Sequence, residues 1–546
     1  MKITNYMNKQ GTRNLFVYLA MFILVLSAYK IFYNKAFLGD EIRGRLVWLS
    51  SSTVKFVNYW LEENPSDFNF LMLEYPKSIE FNGFNDREPY ISYPSGTIFP
   101  PYLMAKMLHK NEIDLGFVKH FLAIKYFLDT FLVCLIFFGL LTYCLKIRHI
   151  KWAALTSVVL SISWMCLPIN LYYERNVFFS DQCIITVVLF YILLEIYDEY
   201  FRSKALPIKS LYYILKFCVS LFGAFTDYYF LFVIFIAWLI KIVPLFKVKK
   251  GKIKSILSES GIYVLPVLIG LSLFIIQILS VLNWWTILRG RYEERTHSEY
   301  STEHENPAIV FHHFVSNYSS VGLLLCVILF IACLFLFVKS IKNKQPVNLR
   351  LFKILLLIFI PPILHVIVFT NHSAVHELSM EKFALPFILI IFLSVWYIFK
   401  RIPYTKFPIF YPLVIICFAG LLGYINLSRY AGGFYNLSIN ENYRSYEMEH
   451  LIKDHIRYDD VYFSFTDSIV ANPPMSLSIS DKAVHKIEHS SDIAKLFPNL
   501  DKNARILLVV RKNNTNKSPE IIAREKIHIN SLPLFESKNY AVYLGL

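Results

Sequence analysis

Two adjacent carboxylates, Asp40 and Glu41, stand directly after the first long apolar run of the chain. Carboxylates at a membrane edge are costly to desolvate, so they need a cation, a hydrogen-bond donor or a chemical task. A structural interpretation makes Asp40 the N-cap of a following helix. A catalytic interpretation makes Asp40 a general base, tuned by half-apolar surroundings, that deprotonates an acceptor hydroxyl.

The segment before the second apolar run combines charge, aromatic rings and proline. The sequence Tyr-Pro-Ser-Gly at 93–96 is followed by Pro-Pro-Tyr at 100–102. Proline and glycine predict a rigid turn, and tyrosine faces suit stacking against a sugar or a lipid headgroup. Because tyrosine is enriched at every membrane interface, simple anchoring is the competing interpretation. The candidate sugar or acceptor contacts here are Arg87, Glu88, Tyr93 and Tyr102.

Two polar pairs lie in or beside later apolar runs. Asp181 opens one run, where capping of the helix dipole is the default role, but Arg175 shortly before it offers a phosphate ligand. Asp181 would then hold a hydroxyl or a metal. Lys125 and Asp129 are four residues apart inside another run, and this spacing favours a structural ion pair on one helix face.

His372 and His376 occupy a short polar segment before a late apolar run. If the segment is helical, this spacing could bind a metal, but no third ligand accompanies the pair, so hydrogen bonding to a phosphate is favoured. Arg289 and Arg291, in a mixed-charge loop near 283–318, are further candidates for phosphate binding.

The composition identifies the class of protein that holds these residues. Of the 546 residues, 55% are hydrophobic and 17% charged, and the mean hydropathy is +0.45. A soluble domain contains roughly 45–50% apolar and about 25% charged residues. The 48 Phe residues, against 18 Gly and 23 Pro, also exclude a disordered chain. We therefore predict a polytopic α-helical membrane protein.

Apolar runs of about 20 residues predict membrane helices. Eleven are predicted, at 15–33, 121–144, 152–171, 182–198, 209–225, 228–246, 260–282, 320–338, 351–370, 383–399 and 408–426. The net charge of +15 comes from basic clusters in alternate connections, such as the lysine run at 247–254, and not from a nucleic-acid surface. This bias predicts a cytoplasmic N-terminus and an external C-terminus. Richness in Lys, Asn, Ile and Phe indicates an AT-rich bacterial genome, and the predicted location is therefore the bacterial inner membrane.

The chain is predicted to contain a transmembrane module at 1–426 and a small extracytoplasmic α/β domain at 427–546. The first outer connection, at 34–118, should carry interfacial helices, including an amphipathic one at 43–58. In the tail, the pattern predicts helices at 446–455 and 491–497 and strands at 460–465, 505–510 and 540–544. The chain has no nucleotide-binding motif, and its eight cysteines give no disulfide or zinc pattern.

In their order along the chain, these motifs resemble the GT-C superfamily of integral-membrane glycosyltransferases. The resemblance covers roughly 15–426, and the layout is similar to that of lipid A aminoarabinose transferases and protein O-mannosyltransferases. It is carried by Asp40-Glu41, the 93–96 and 100–102 segments, Arg175 with Asp181, and His372 and His376 leading into Phe383-Ala384-Leu385-Pro386. The oligosaccharyltransferase signature WWDYG is absent, because Trp284-Trp285-Thr286 does not match it, and the acceptor stays open.

The resemblance implies sugar transfer from a polyprenyl-phosphate-linked donor to a glycan, lipid or protein acceptor on the outer side, with inversion at the anomeric carbon. Asp40 would be the base, and Asp181 or Glu41 would orient the acceptor or hold a divalent cation as a cofactor. Membrane lipid would surround the prenyl chain. The implied ligands of the donor phosphate are Arg175, His372, His376, Arg289 and Arg291.

Two other classes of function compete with this one. A secondary transporter or flippase of lipid-linked glycans predicts polar residues and broken helices near mid-membrane. A non-catalytic envelope assembly protein, whose tail binds a partner, predicts that Asp40 and Asp181 are dispensable.

Overall fold

The fold is described from a computed structural model of the protein. It describes residues 2–33, 48–74, 87, 89–145, 149–201, 209–247, 252–296, 306–318, 346–399 and 410–431, with isolated positions between 323 and 338. In the C-terminal part it describes 447–455, 460–464, 484–486, 493, 505–511, 533–537 and 540–545.

The described chain is dominated by helices that begin and end close to the limits of the apolar runs. The α-helices up to residue 279 are α1 (Lys2–Tyr33), α2 (Trp48–Glu62), α3 (Phe99–Met107), α4 (Leu115–Gly139), α5 (Ile150–Met165), α6 (Pro168–Asn176), α7 (Ser180–Phe201), α8 (Lys209–Ala224), α9 (Tyr229–Ile242) and α10 (Lys252–Leu279). They are followed by α11 (Trp284–Thr296), α12 (Asn306–Tyr318), α13 (Pro346–Val368), α14 (Thr370–Val375), α15 (Ala384–Phe399), α16 (Phe410–Ala431) and α17 (Glu447–His455).

Several helices are suited to crossing a membrane. Five within the described residues are long and apolar enough, at Leu115–Cys144, Ser180–Asp198, Tyr229–Phe246, Ile253–Leu279 and Arg350–Val368. Shorter apolar helices lie at Leu15–Ile31 and Ser210–Ala224. Helices also cover the predicted spans 383–399 and 408–426, whereas 320–338 falls largely outside the described residues. The protein is therefore a multi-pass membrane protein.

The third predicted span is broken, which corrects both its limit at residue 171 and the loop implied between that limit and the next span, which was predicted to begin at 182. Helix α5 ends at Met165, and α6 begins at Pro168 with its axis turned by 71°. Proline lacks an N–H and forces the preceding residue into extended backbone, as observed for Leu167 (ψ 134°). Because α6 runs to Asn176, most of the expected loop is helical and buried.

The first long connection is also more deeply packed than the pattern predicts. Helix α2 buries every residue from Leu49 to Val57, so the described part of the expected interfacial helix at 43–58 lies inside the protein. Pro100 and Pro101 do not form a turn. They start α3, where the missing N–H groups cost nothing because first-turn donors have no helical partner. Strands β1 (Met72–Leu73) and β2 (Pro89–Tyr90) pair antiparallel beside α2.

Ser95 and Gly96 join this connection to the tight turn between α8 and α9. Gly96 N–H donates to the Phe225 carbonyl at 3.0 Å, and a Cβ on Gly96 would lie 2.1 Å from that oxygen. Asp227 closes the turn, because its Oδ1 accepts from the Tyr229 N–H at 2.7 Å. This tight turn joins the two helices that cover the spans predicted at 209–225 and 228–246.

The C-terminal part contains a mixed sheet. Its described strands are β3 (Asp460–Ser464), β4 (Val484–Lys486), β5 (Arg505–Arg511), β6 (Phe535–Glu536) and β7 (Tyr540–Gly545), in the order β4-β3-β5-β7-β6. Strands β3, β4 and β5 are parallel, and β7 runs antiparallel to β5 and β6. Met448, Leu451 and Ile452 of α17 belong to the buried apolar cluster of this sheet. The predicted helix at 491–497 lies almost entirely outside the described residues.

Candidate functional site

Asp181 and Lys382 form the centre of a buried polar cluster at one end of the helical bundle. Asp181 stands in the first turn of α7, and Lys382 lies in the 3₁₀ helix Glu377–Phe383 that leads into α15. The Lys382 ammonium donates to Asp181 Oδ1. Its side chain is 1% exposed, against 10% for Asp181, so the lysine lies behind the carboxylate. A buried charge of either sign needs such a partner, since its desolvation cost is otherwise uncompensated.

Two histidines extend the centre. Lys382 Nζ lies 3.1 Å from His365 Nε2, near the end of α13. Because an ammonium offers only donors, the His365 nitrogen accepts this hydrogen bond. His372 Nε2, on α14, lies 4.0 Å from Asp181 Oδ2. Tyr229 covers the lysine, with its ring centroid 5.1 Å from Nζ.

Tyr93 brings the first connection into the same cluster. Its hydroxyl is 3.1 Å from His372 Nε2, and its ring lies 6.1 Å from the Phe179 ring and 6.0 Å from the Tyr228 ring. We name the set Asp181, Lys382, His365, His372 and Tyr93 the Asp181 centre. Helices α7, α13 and α14, the 3₁₀ segment and the 93–96 segment each supply one member, so the centre exists only in the assembled fold.

The donor set of this centre suits an anion better than a metal ion. The described contacts of Lys382 use two of its three N–H donors, and the imidazoles and the tyrosine hydroxyl can also donate. Asp181 already carries the ammonium, which competes with any cation for the carboxylate. Across the described residues, no group of three or more His, Cys, Asp or Glu side chains is arranged to hold a metal. A phosphate oxygen matches the available donors.

A second buried cluster adjoins the centre through neighbouring residues. Glu381 precedes Lys382, and Gln182 follows Asp181; Gln182 Nε2 donates to Glu381 Oε2 at 3.3 Å. The Lys125 ammonium lies 2.7 Å from Asp129 Oδ2 and 2.6 Å from Glu174 Oε2. The predicted Lys125–Asp129 pair therefore forms, but as part of a larger set that we name the Lys125 cluster: Lys125, Asp129, Glu174, Gln182 and Glu381.

Other predicted phosphate ligands occupy different surroundings. His376 continues the turn that begins at His372: its N–H donates to the His372 carbonyl at 2.8 Å, and the two ring centroids are 4.5 Å apart with the ring planes tilted by 52°. Arg175 is buried in the last turn of α6, one residue after Glu174. Arg289, on α11, has a side chain that is 67% exposed and bonded to Glu293 at 2.7 Å. The side chain of Arg291 lies outside the described residues.

The predicted sugar contacts separate from one another. Arg87 clamps Glu63 with two contacts of 2.7 and 2.9 Å and lies over the Tyr59 and Phe68 rings, an arrangement that holds the first connection together. Tyr102 packs against Trp60, with ring centroids 5.5 Å apart. Only Tyr93 of this group joins the Asp181 centre. Glu88, Asp40 and Glu41 lie outside the described residues.

His365, Glu381 and Lys382 were not predicted from the sequence to belong to a site. All three lie in or next to apolar runs, where an ionisable residue is costly and marks a site by default. That signal was available from the sequence. What it could not supply was the pairing, because Lys382 is 201 positions from Asp181.

The fold was compared with known proteins. No protein-family model and no curated protein matches the sequence. The solved structure of ArnT from Cupriavidus metallidurans bound to undecaprenyl phosphate is similar over 96% of this chain and 97% of its own, with a TM-score of 0.55 and 8% identity. The Archaeoglobus fulgidus oligosaccharyltransferase tethered with an acceptor peptide is similar over 91% of this chain and 69% of its own, with a TM-score of 0.53 and 8% identity. The chain shares the fold of these two solved structures, in agreement with the layout that the sequence resemblance predicted.

Proposed function

We propose that this protein is a membrane glycosyltransferase that moves a sugar from a polyprenyl-phosphate-linked donor to an acceptor hydroxyl on the outer side of a bacterial inner membrane. The observation that carries the proposal is the Asp181 centre, in which Lys382 and His372 flank one carboxylate and Tyr93 contacts His372, within a GT-C fold. A similar fold binds undecaprenyl phosphate in the solved ArnT structure. The acceptor is a glycan, a lipid or a protein.

In this proposal the donor phosphate lies at the rim of the Asp181 centre. His372 and Tyr93 face it, His376 extends the donor surface, and Lys382 supplies positive charge from behind. Arg175 is a further ligand of the donor phosphate in this proposal. Fixed donors at the leaving oxygen stabilise the charge that develops there as the bond to the anomeric carbon breaks.

Asp40 is the proposed base. It takes the proton of the acceptor hydroxyl while the acceptor oxygen bonds to the anomeric carbon and the lipid phosphate departs with the electron pair of the broken bond. Attack opposite the leaving phosphate inverts the anomeric configuration. Glu41 lies beside Asp40 in the sequence and is the neighbouring candidate. No step requires a metal.

The decisive measurement is binding of undecaprenyl phosphate to the purified protein in detergent. Lys382→Met removes the ammonium at nearly constant length and should weaken binding by roughly ten- to a hundred-fold, the equivalent of one charged hydrogen bond of about 1.5–3 kcal/mol. The double variant Lys382→Met/Asp181→Asn avoids an unpaired buried carboxylate and should bind equally weakly.

A matched control exists among the buried lysines. Lys216, 1% exposed, is bound to Glu195 at 2.5 Å in a separate cluster with Asp198 and Lys241. Lys216→Met should leave the affinity for undecaprenyl phosphate unchanged in protein that is still folded. Unaltered affinity in both Lys382 variants would remove the Asp181 centre from the donor site.

A flippase of lipid-linked glycans is the second candidate, because the fold contains buried charges within its helices and a broken span. Glu195, Asp198, Lys216 and Lys241 are mutually paired, however, at distances of 2.5 to 3.5 Å. Such a neutral set ties α7, α8 and α9 together without an open ligand position. Reconstituted protein that moves the donor across vesicles but transfers no sugar to any acceptor fraction would favour the flippase.

A further inference from the structure

The Lys125 cluster holds more acid than base. Its one ammonium contacts Asp129 and Glu174, and Glu381 lies in hydrogen-bond contact with Glu174. Asp129 and Glu174 have no exposed side-chain surface, and Glu381 is 2% exposed. Three ionised carboxylates beside one ammonium would leave two uncompensated charges in a buried site, at a cost of several kcal/mol per ion. At least one of the three carboxyl groups therefore has to carry a proton.

The unsatisfied oxygens of the cluster are Asp129 Oδ1, Glu174 Oε1 and Glu381 Oε1, and of these three residues Glu174 and Glu381 are in hydrogen-bond contact with each other. Glu174 Oε2 accepts from Lys125 and Glu381 Oε2 accepts from Gln182, while the other oxygen of each, Oε1, is buried without a partner among the heavy atoms. Two carboxylate oxygens cannot bond to each other unless one is protonated. A single proton between the two Oε1 atoms satisfies both. Burial and the neighbouring charge of Glu174 also raise the pKa of Glu381 well above its ordinary value.

We propose that Glu174 and Glu381 share one proton and that this acid–carboxylate pair positions Lys382 in the donor site. Glu381 and Lys382 are consecutive, as are Asp181 and Gln182, so two parallel contacts join the 3₁₀ segment to α7: Lys382 with Asp181, and Gln182 with Glu381. The positioning role rests on the proposed function, whereas the shared proton does not. Glu381 is a positioning residue, because it acts through Lys382.

The charged and titratable groups around Glu381 determine the effect of losing the proton. Glu174 on α6 faces it directly, and the buried Arg175 follows Glu174 on the same helix. Lys125 and Asp129 on α4 lie behind Glu174. Asp181 connects to Glu381 through Lys382 and Gln182, and His365 connects to it through Lys382. Deprotonation places two negative carboxylates in contact and removes the hydrogen bond between α6 and the 3₁₀ segment. The segment that carries Lys382 then loses one of its supports.

Infrared spectroscopy tests the shared proton independently of any activity. A protonated carboxylic acid shows a carbonyl stretch that carboxylates and amides lack, so wild-type protein at neutral pH should show this band. Glu381→Gln should abolish it. As a matched control, Glu377→Gln changes a buried acid of the same segment, bonded to Asn317 at 2.8 Å, and should retain the band. Absence of the band from wild type, or its survival in Glu381→Gln, would overturn the proposal.

The pH dependence of undecaprenyl phosphate binding tests the positioning role. If the protonated pair is the competent form, apparent affinity in the wild type should fall by about tenfold for each pH unit above the pKa of the pair. Glu381→Gln keeps a neutral donor in place, so its affinity at neutral pH should stay within about twofold of wild type and its alkaline loss should vanish. Glu377→Gln should retain the loss.

The failures of the two proposals are distinguishable. An identical alkaline loss in wild type and Glu381→Gln, with the infrared difference present, would disprove the positioning role alone. Failure of wild-type protein to bind undecaprenyl phosphate at any pH would disprove the proposed function, and the infrared comparison would still decide whether the proton is shared.

Discussion

Asp181 is engaged by a buried ammonium, and this limits what the residue can do in a transfer reaction. Oδ1 accepts from Lys382 and Oδ2 lies 4.0 Å from His372 Nε2, so the carboxylate holds Lys382 and His372 in place. A general base needs an oxygen directed at the acceptor hydroxyl. Within the proposed function, that task falls to Asp40, at the end of the first apolar run.

Asp40→Asn tests this assignment. The substitution keeps shape and hydrogen-bonding capacity but removes basicity, so the transfer rate should fall by roughly a hundred- to ten-thousand-fold. The binding of undecaprenyl phosphate should not change, because the phosphate ligands are elsewhere. The measurement is a transfer or complementation assay normalised to membrane abundance. Full activity in a normally expressed variant would contradict the assignment of Asp40 as the base, and Glu41→Gln would then test the neighbouring carboxylate.

Residue types and spacing were enough to select three members of the Asp181 centre. Asp181, His372 and Tyr93 were singled out as polar or aromatic residues in short segments between apolar runs. Lys382 and His365 were not assigned roles, because their meaning depends on contacts across 17 to 201 positions of sequence. In the sequence, Arg87 and Tyr102 were candidates of the same kind as Tyr93. In the fold, Arg87 forms a salt bridge with Glu63 and Tyr102 packs against Trp60.

At the scale of elements, the 93–96 segment is positioned by a backbone contact that only glycine permits. A Cβ on Gly96 would lie 2.1 Å from the Phe225 oxygen and 3.0 Å from Thr226 Oγ1. Neither the turn nor the segment can give way freely, because Gln277 Nε2 also donates to Ser95 Oγ at 2.8 Å. The position of Tyr93 therefore depends on the turn between α8 and α9.

Gly96→Ala should destabilise the protein by about 1–3 kcal/mol, the usual cost of overpacking, and lower undecaprenyl phosphate affinity by displacing Tyr93. Gly261→Ala is the matched control, since a Cβ there meets nothing within 4 Å and alanine favours the helix interior. Thermal unfolding in detergent should show a lower midpoint for Gly96→Ala and an equal or higher one for Gly261→Ala. Equal midpoints for Gly96→Ala and wild type would contradict the close packing.

Periodicity and apolar length located most helices but not their breaks. Pro168 was the sequence signal for the 71° bend after α5. The span was nevertheless predicted to continue to residue 171, because the apolar run continues past this proline. The prolines at 100 and 101 were assigned to a turn, although proline is equally suited to the first turn of a helix. In the tail, the strands at 460–464, 505–511 and 540–545 follow the predicted limits closely because β-branched and aromatic runs there are short and well separated.

At the scale of the whole molecule, helix direction places the Asp181 centre at one end of the bundle and the basic connections at the other. Asp181 stands at the start of α7, whereas the lysine run at 247–254 lies between α9 and α10, after the three helices α7, α8 and α9. The centre and this run therefore lie on opposite sides of the membrane. The bias of Lys and Arg toward the cytoplasm then predicts that the centre lies on the outer side.

Reporter fusions test this orientation. A reporter after Lys254 should be active only as a cytoplasmic marker, and reporters inserted at 300 or fused after Leu546 should be active only as external markers. The insertion at 300 is the informative one, because it lies between α11 and α12, and α12 touches the centre's own segment: His313 Nε2 is 2.8 Å from the Ala374 carbonyl oxygen, two residues from His372. If the insertion at 300 and the fusion after Lys254 report the same side, the donor site would face the cytoplasm. A donor presented at the outer surface could then not reach Lys382, and the proposed direction of transfer would be wrong even if the protein binds the lipid phosphate.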